Sequence, residues 1–465
     1  MKVLLVLPTV DTCYERVASI GLMNLYLIGK KVGCNIEYID LTEFPYSGGL
    51  KRILSKKYDL IGISCNFTNA VPYCMQYAKD IKEKYPDTIV ISGGNHATLV
   101  PEDLLFNKYD YIIHGEGEVT FEEFLERFLH NEDLKDLKGL YYLKNGEIIR
   151  NSSREQIKDL DNLPLNDYTE FNLEPYFKRS GLRYVSLETS RGCIYNCAFC
   201  STVRMWGHKY RQKSPQRIVK EFKIVQKLNL DFVFIEDDDI ALNEQHLRDF
   251  CQLLVDENVT VPWGATIGSR SIKNASTFDL MARSGCIKIN ICIESANPRL
   301  LKIYRKPYSI EDNRWTCLNL RGRGIVVHNH GIIGFPDETI HESLKTYFYL
   351  IKTSPLWHIS ILEPRPGTDY WKNWNGRGDI LQYKLFGKAN VILAKRKVLI
   401  YLMYRIFALF YFLNPVRIHK TLFTKNKGMR YSYRIQYSVA YRTMKQNTLN
   451  FLRRFPLFYK IYGDI

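Results

Sequence analysis

Cys193, Cys197 and Cys200 stand in the run Arg191-Gly192-Cys193-Ile194-Tyr195-Asn196-Cys197-Ala198-Phe199-Cys200, with C-x3-C-x2-C spacing. Three thiolates on so short a loop can wrap one iron–sulfur cube and ligate three of its irons, and with no fourth cysteine close by the last iron stays open to a chelating ligand. The other chemistry open to such a loop is structural zinc. That site takes four ligands, usually as paired C-x2-C or Cys/His elements, and the nearest histidine here is His208. The remaining cysteines, Cys13, Cys34, Cys65, Cys74, Cys251, Cys286, Cys292 and Cys317, are scattered on apolar segments and read as inert core residues. Their odd total of eleven argues against a disulfide framework.

A second group is the run of four acids Glu236-Asp237-Asp238-Asp239, which reads as a solvated turn or a divalent-cation site. The loops Ser64-Cys65-Asn66-Phe67, Gly93-Gly94-Asn95-His96 and Gly115-Glu116-Gly117-Glu118 form a third, together with the segment 9–19. Glycines there let backbone approach a bulky ligand, or simply turn tightly. No G-x-G-x-x-G is present, so no dinucleotide is inferred.

The elements that must position these groups are legible as two alternating β/α series. Short β-branched runs at 3–8, 36–41, 60–64, 88–92 and 111–114, with helical periodicity between them (70–85 for example), predict a doubly wound parallel sheet over roughly residues 1–135. In such a sheet ligands sit at the carboxyl ends of the strands, where the third group of loops falls. Segments 140–143 and 147–150 flank Lys144-Asn145-Gly146 as a β-hairpin, and a polar linker over 151–164 completes a connecting region at 136–180. From 181 to 375, strands at 185–189, 232–236, 264–267, 288–293, 326–333 and 358–362 predict a partial (β/α)6 barrel, with functional groups at the strand ends. The cysteine loop follows the first of these strands, and the four acids follow the second.

With 465 residues, 46% hydrophobic and 13% aromatic, the chain can bury a large core in two or three domains. Residues 1–8 form a strand without the apolar length or cleavage site of a secretion signal, which predicts a cytoplasmic location. Residues 381–465 hold 17 of the 65 Lys and Arg but one of the 49 Asp and Glu, so the net charge of +16 belongs to a basic, mostly helical C-terminal region over 376–465.

The cysteine loop, with Phe199 before its last cysteine, resembles the defining motif of the radical S-adenosylmethionine superfamily. The resemblance implies a [4Fe–4S] cluster on Cys193, Cys197 and Cys200. It also implies S-adenosylmethionine contacts from Phe199, from Glu236, Asp237 and Asp238, and from Arg270, Glu294 and Ser295, with Ile333 and Phe335 on the run that packs the adenine. Gly331 to Phe335 and Glu363-Pro364-Arg365-Pro366-Gly367-Thr368 match the ends of the last two barrel strands. The first domain resembles the cobalamin-binding domain that precedes many such enzymes, which implies cobalamin contacts from Ser64, Asn66, Gly93, Gly94, His96, Gly115, Glu116 and Gly117. The likeness covers roughly residues 1–370. No D-x-H-x-x-G is present, so cobalt is expected to lack a histidine from that motif, with His96 the nearest substitute or else a satisfied loop residue.

What the resemblance implies chemically is reductive cleavage of S-adenosylmethionine to a 5′-deoxyadenosyl radical, hydrogen abstraction, and methyl transfer through cobalamin to an unactivated carbon, with a flavodoxin- or ferredoxin-like electron donor. Ring formation, oxidation and carbon–carbon bond formation are alternatives in the same family. Tyr195, Trp206 and His208, near the cysteine loop, read as participants or as packing. Residues 398–413 are apolar and aromatic with basic flanks, too short to span a bilayer at about 20 residues. They predict a peripheral membrane helix, within a contact region at 391–420, or a cap on the barrel. The membrane reading suggests a hydrophobic or lipid-like substrate. RNA binding by the same basic, aromatic tail is the disfavoured alternative, since no second cysteine triplet like that of RNA-modifying methylthiotransferases stands in the first domain.

Overall fold

The computed structural model describes residues 1–10, 17–165, 167–383 and 397–412. Fifteen strands lie among them: β1 (Lys2–Leu7), β2 (Asn35–Asp40), β3 (Leu60–Ser64), β4 (Ile89–Gly93), β5 (Tyr111–Ile113), β6 (Leu140–Lys144), β7 (Glu147–Arg150), β8 (Tyr184–Leu187), β9 (Ser190–Arg191), β10 (Arg211–Gln212), β11 (Phe232–Ile235), β12 (Trp263–Ile267), β13 (Cys286–Glu294), β14 (Val326–Ile333) and β15 (Leu356–Ile361).

β1 to β5 pair in parallel in the order 2-1-3-4-5. Helices cover both faces, which is why Val3, Leu4, Leu5 and Val6 are all buried and the strand is a continuous apolar run. The helix expected at 70–85 is Val71–Lys84, with Pro72 in its first turn, where the missing N–H costs nothing. The hairpin β6–β7, read from sequence as part of a connecting region, instead pairs antiparallel with β5 and extends this sheet to seven strands.

The second sheet is open and wholly parallel, in the order 15-14-13-12-11-8. Its connecting helices start on side-chain caps, Ser214, Asn243, Asn274, Ser309 and Thr339, the last two as full capping boxes. Val185, Leu187, Val233, Ile235, Ala265, Ile267, Ile289 and Ile291 face these helices in one core. Because side chains alternate along a strand, the residues between them form the opposite, inner face. Strand ends differ from the sequence expectation by one or two residues. Thr189, for example, leaves β8 because the Asp237 carboxylate takes both its N–H and its hydroxyl.

Helix Lys397–Phe412 lays Ile400, Met403 and Phe407 against Tyr347, Trp357, Ile359 and Ile361, and Phe407 stacks on Tyr347 with ring centroids 3.7 Å apart. It therefore caps the β15 flank of the barrel, while Leu399, Leu402 and Ile406 on its other face are exposed. No described helix is long and apolar enough to cross a membrane. Cys13, most of the segment 9–19 and the rest of 391–420 lie outside the described residues.

Candidate functional site

The cysteine loop is closed at its base by the two-residue ribbon β9–β10. Gly192 has φ +95°, and a Cβ there would stand 2.1 Å from the Lys209 carbonyl oxygen, so only glycine lets the loop fold back this tightly. The Ala198 N–H donates to the Tyr304 carbonyl at 2.9 Å, and the Phe199 ring meets Tyr304 and Phe335 edge-on. Cys193, Cys197 and Cys200 are half-buried, whereas Cys34, Cys65, Cys74, Cys251, Cys286 and Cys317 are buried. Cys200 donates to Thr202 Oγ1, which donates to Asp238. Burial pushes the Cys193 thiol up to about 12 and raises that of Cys197, the latter opposed by the nearby Lys306 cation. Ligation of a metal centre must therefore displace the protons of these thiols.

The acidic run divides by burial. Asp237 and Asp239 turn inward: Asp237 accepts from Thr189 and Ser190, and Asp239 from Ser271 and the Ala241 N–H. Burial raises both carboxyls to about 6. These two side chains are loop clamps, which leaves only backbone at Asp237 for a ligand. Glu236 and Asp238 are exposed, with Glu236 accepting from Ser186. Arg270 is exposed after β12.

Glu294 ends β13 at a bulge with φ +68°, a strained conformation for a side-chain-bearing residue. It meets Lys306 Nζ at 3.2 Å. Burial opposes that charge, but the Glu294 carboxylate holds the Lys306 ammonium above its ordinary range. Lys306, beside Phe199 and Tyr308, was not legible in the sequence, because it stands on the loop between helices Pro298–Ile303 and Ile310–Gly322 and belongs to no motif. Three more of the expected adenosylmethionine contacts are buried side chains. Ser295 is fully buried and bonded to Thr346 and Asn297, and Ile333 and Phe335 are core residues, Phe335 stacked 3.6 Å from Tyr304. Alternation along β14 sends Ile333 to the outer face.

Glu338 accepts from the Gly334 and Phe335 N–H groups through one carboxylate oxygen, while its other oxygen is buried without a partner. Burial pushes its pKa up to about 7. A raised carboxyl pKa gives stability that is full below the unfolded value, near 4.5, and lost as pH rises through the folded one. Between pH 5 and 8 the protein should therefore lose on the order of 2 kcal/mol that Glu338→Gln retains, read as urea midpoints of both proteins at the two pH values.

In the first domain, Ser64 and Gly93 end β3 and β4, and Gly115 follows β5, so the loops stand side by side at the carboxyl edge. Gly94, at φ +103°, abuts Asn66, whose side-chain oxygen would lie 2.3 Å from a Cβ there and accepts from the Asn95 N–H. Gly115, at φ +82°, has nothing within 4 Å of the position a Cβ would take. That open backbone, with the exposed Phe67 ring on the loop after β3, fits a bulky planar ligand such as cobalamin.

His96 does not. It is buried with Nδ1 against Thr68 and Nε2 against Asp103, so both nitrogens are engaged and it serves the loop. Gly117 starts helix Gly117–Leu129, and Glu116 points to the barrel. Glu116 pairs with Arg191 and Arg211 at 2.9 Å each and accepts from the Ile157 N–H, and Arg191 also pairs with Glu118 at 2.6 Å and Glu188 at 2.9 Å. Trp206 lies against both guanidinium groups. The expected ligand-binding Glu116 is thus the centre of a buried ionic joint between the two domains, because a carboxylate taken out of water pairs with the nearest guanidinium. His208 bonds the Ile194 carbonyl, and Tyr195 packs edge-on to Tyr308.

The inner face of β13 to β15 carries side chains that sequence reading left unassigned. Lys288, Asn290 and Cys292 alternate along β13, His328 and His330 along β14, and His358 stands in register with His330 on β15. Cys292, read from sequence as core, is half-buried and within the field of Cys200 and Glu294.

Residues 187–350 match the model of the Radical SAM superfamily, and residues 7–125 match that of the B12 binding domain. The chain is 29% identical over 383 residues to an uncharacterized methyltransferase of Pyrococcus horikoshii, covering 80% of this chain and 83% of that one. It is 25% identical to the hopanoid C-3 methylase of Methylococcus capsulatus, covering 85% and 77%. Its fold is similar to that of the radical S-adenosylmethionine methyltransferase TsrM from Kitasatospora setae, solved with cobalamin and a [4Fe–4S] cluster bound: TM-score 0.64, 18% identity, 77% of this chain and 72% of that one.

Proposed function

We propose, for a chain that is a radical SAM enzyme with a B12-binding domain ahead of its barrel, that it transfers a methyl group from S-adenosylmethionine to an unactivated carbon of a small molecule. Its cofactors are a [4Fe–4S] cluster, S-adenosylmethionine and cobalamin. The cluster supplies the electron for reductive cleavage of S-adenosylmethionine, and cobalamin supplies a transferable methyl group.

The chain's own residues bind and orient. Cys193, Cys197 and Cys200 hold three irons and leave one for the chelating amino and carboxylate groups. Lys306, buried beside the loop, offers a fixed cation to that carboxylate, and Glu236 and Asp238 face the amino group. The Arg191 joint fixes the first domain's ligand edge relative to the cluster loop. The single observation that carries this reading is the half-buried cysteine loop, held by a glycine-only turn in front of a polar inner face.

Leu399, Leu402 and Ile406, with the basic charge of the tail, support peripheral contact with an anionic membrane through 391–420 and a substrate with a hydrophobic body. A flavodoxin- or ferredoxin-like protein would deliver the electron. The test is anaerobic reconstitution with iron, sulfide and hydroxocobalamin, followed by quantification of 5′-deoxyadenosine and S-adenosylhomocysteine together in the presence of cell extract. Both products, dependent on cobalamin and extract, are expected. 5′-Deoxyadenosine alone would replace methyl transfer by an oxidative or ring-forming reaction.

A further inference from the structure

The inner face of the second sheet is not apolar. His330 lies between His328, with ring centroids 4.2 Å apart, and His358, at 5.8 Å, and its register partner on β13 is Cys292. Lys288 stands two residues before Asn290 on that strand, its ammonium 5.6 Å from the Phe234 ring centroid. Two polar atoms of this face are buried without a hydrogen-bond partner, His330 Nε2 and Asn290 Oδ1. Each such orphan destabilises the fold unless something else satisfies it. Core packing does not explain them, since Ile289, Ile291, Val327, Ile359 and Ile361 already fill the outer face of the same strands.

We propose that the substrate carries an anionic group, a carboxylate or a phosphate, that docks between His330, His358, Asn290 and Lys288. This rests on the reading above, in which the inner face next to the cluster receives the substrate. An anion is the group that suits the whole set. Lys288 and His358 are the charged or chargeable side chains whose fields reach His330, and both disfavour a further cation there. Burial above all, and these two charges after it, push the imidazole down to about 3, so it is neutral. A bound anion supplies an acceptor for an Nε2 proton, and the Asn290 amide can turn its nitrogen to the same group, its orientation being free of any bond to its oxygen. The anionic group would fix one end of the substrate, leaving a hydrophobic body free to extend outward.

The reconstituted holoenzyme, with methyl-deuterated S-adenosylmethionine and reductant, would be given a methanol extract split on an anion-exchange resin. Formation of 5′-deoxyadenosine reports substrate occupancy whatever reaction follows, and transfer of label reports methylation separately. The expected result is acceleration by the resin-bound fraction alone. His330→Leu and His358→Leu are expected to raise the amount needed for half-maximal acceleration at least tenfold, with His330→Gln closer to the parent and Lys135→Ala, on the far domain's surface, unchanged. Acceleration by the unbound fraction, acceleration by neither, or unchanged half-saturation in both leucine variants would overturn the inference. Acceleration by the bound fraction without transferred label keeps the anionic substrate and removes the methyl-transfer reading.

Discussion

Cys197→Ala brings S-adenosylmethionine cleavage to the level without enzyme, and the reconstituted protein loses its cluster. The loop around Cys197 does not depend on its side chain for shape. The neighbouring Ala198 N–H is anchored on the Tyr304 carbonyl and Cys200 N–H on the Cys197 carbonyl, and the glycine turn at 192 packs closely against the Lys209 carbonyl. What the substitution removes is one of three ligands, and two thiolates from one loop do not hold a cube whose fourth iron has no protein ligand. The measurement is iron and sulfide per chain together with 5′-deoxyadenosine formation. Cys251→Ala, in the outer helical layer with its thiol fully buried, is the matched control and keeps both. A Cys197→Ala protein that still cleaves S-adenosylmethionine would sink the cluster assignment.

Arg191→Met is expected to cost about 3–5 kcal/mol of stability, the range for breaking a buried ionic cluster from one side. The guanidinium is 6% exposed and meets Glu116, Glu118 and Glu188 together. Arg211 continues to neutralise Glu116, but Glu118 is left with the Asn24 amide, which donates to it at 3.3 Å. The pH dependence identifies the cause. In the intact protein, burial pushes the Glu118 carboxyl up, Arg191 more than offsets it, and the result lies below the ordinary value near 4.5. That depressed carboxyl contributes stability present above 4.5 and lost as pH falls through its folded value. Without Arg191, burial outweighs the remaining Asn24 hydrogen bond and the pKa moves up, so the variant's deficit is largest at neutral pH and narrows on acidification toward 5. Urea unfolding of both proteins at pH 7.5 and 5.5 measures this. A deficit equal at the two values would assign the loss to packing against Trp206 instead.

Local periodicity made the two β/α series and the cysteine loop readable, because strand, cap and ligand spacing are short-range properties. The hairpin's destination was not readable: its turn is coded by Asn145-Gly146, but its pairing with β5 depends on Tyr111 meeting Tyr142 across the sheet. The same limit applied to the acids. Four in a row look alike in sequence, yet the loop after β11 leaves Glu236 and Asp238 exposed and turns Asp237 and Asp239 inward, where Thr189, Ser190, Ser271 and the Ala241 N–H hold them as clamps. Glu116 looked like part of a glycine-rich ligand loop, and its true partners are 75 and 95 residues away in the chain. His330 and His358 carried no motif at all. Only the register of β14 with β15 brings them together.

The hairpin also changes what the first domain shows to other molecules. Without it, the sheet would end on Tyr111-Ile112-Ile113, a short apolar strand whose unpaired amides and carbonyls would invite another chain to add on. With it, the outermost strand is Glu147-Ile148-Ile149-Arg150, bounded by two exposed charges of opposite sign. Charged, short edges of this kind discourage strand addition. The hairpin precedes the barrel in the chain, so a domain emerging from the ribosome has its edge protected before the second sheet has been synthesised.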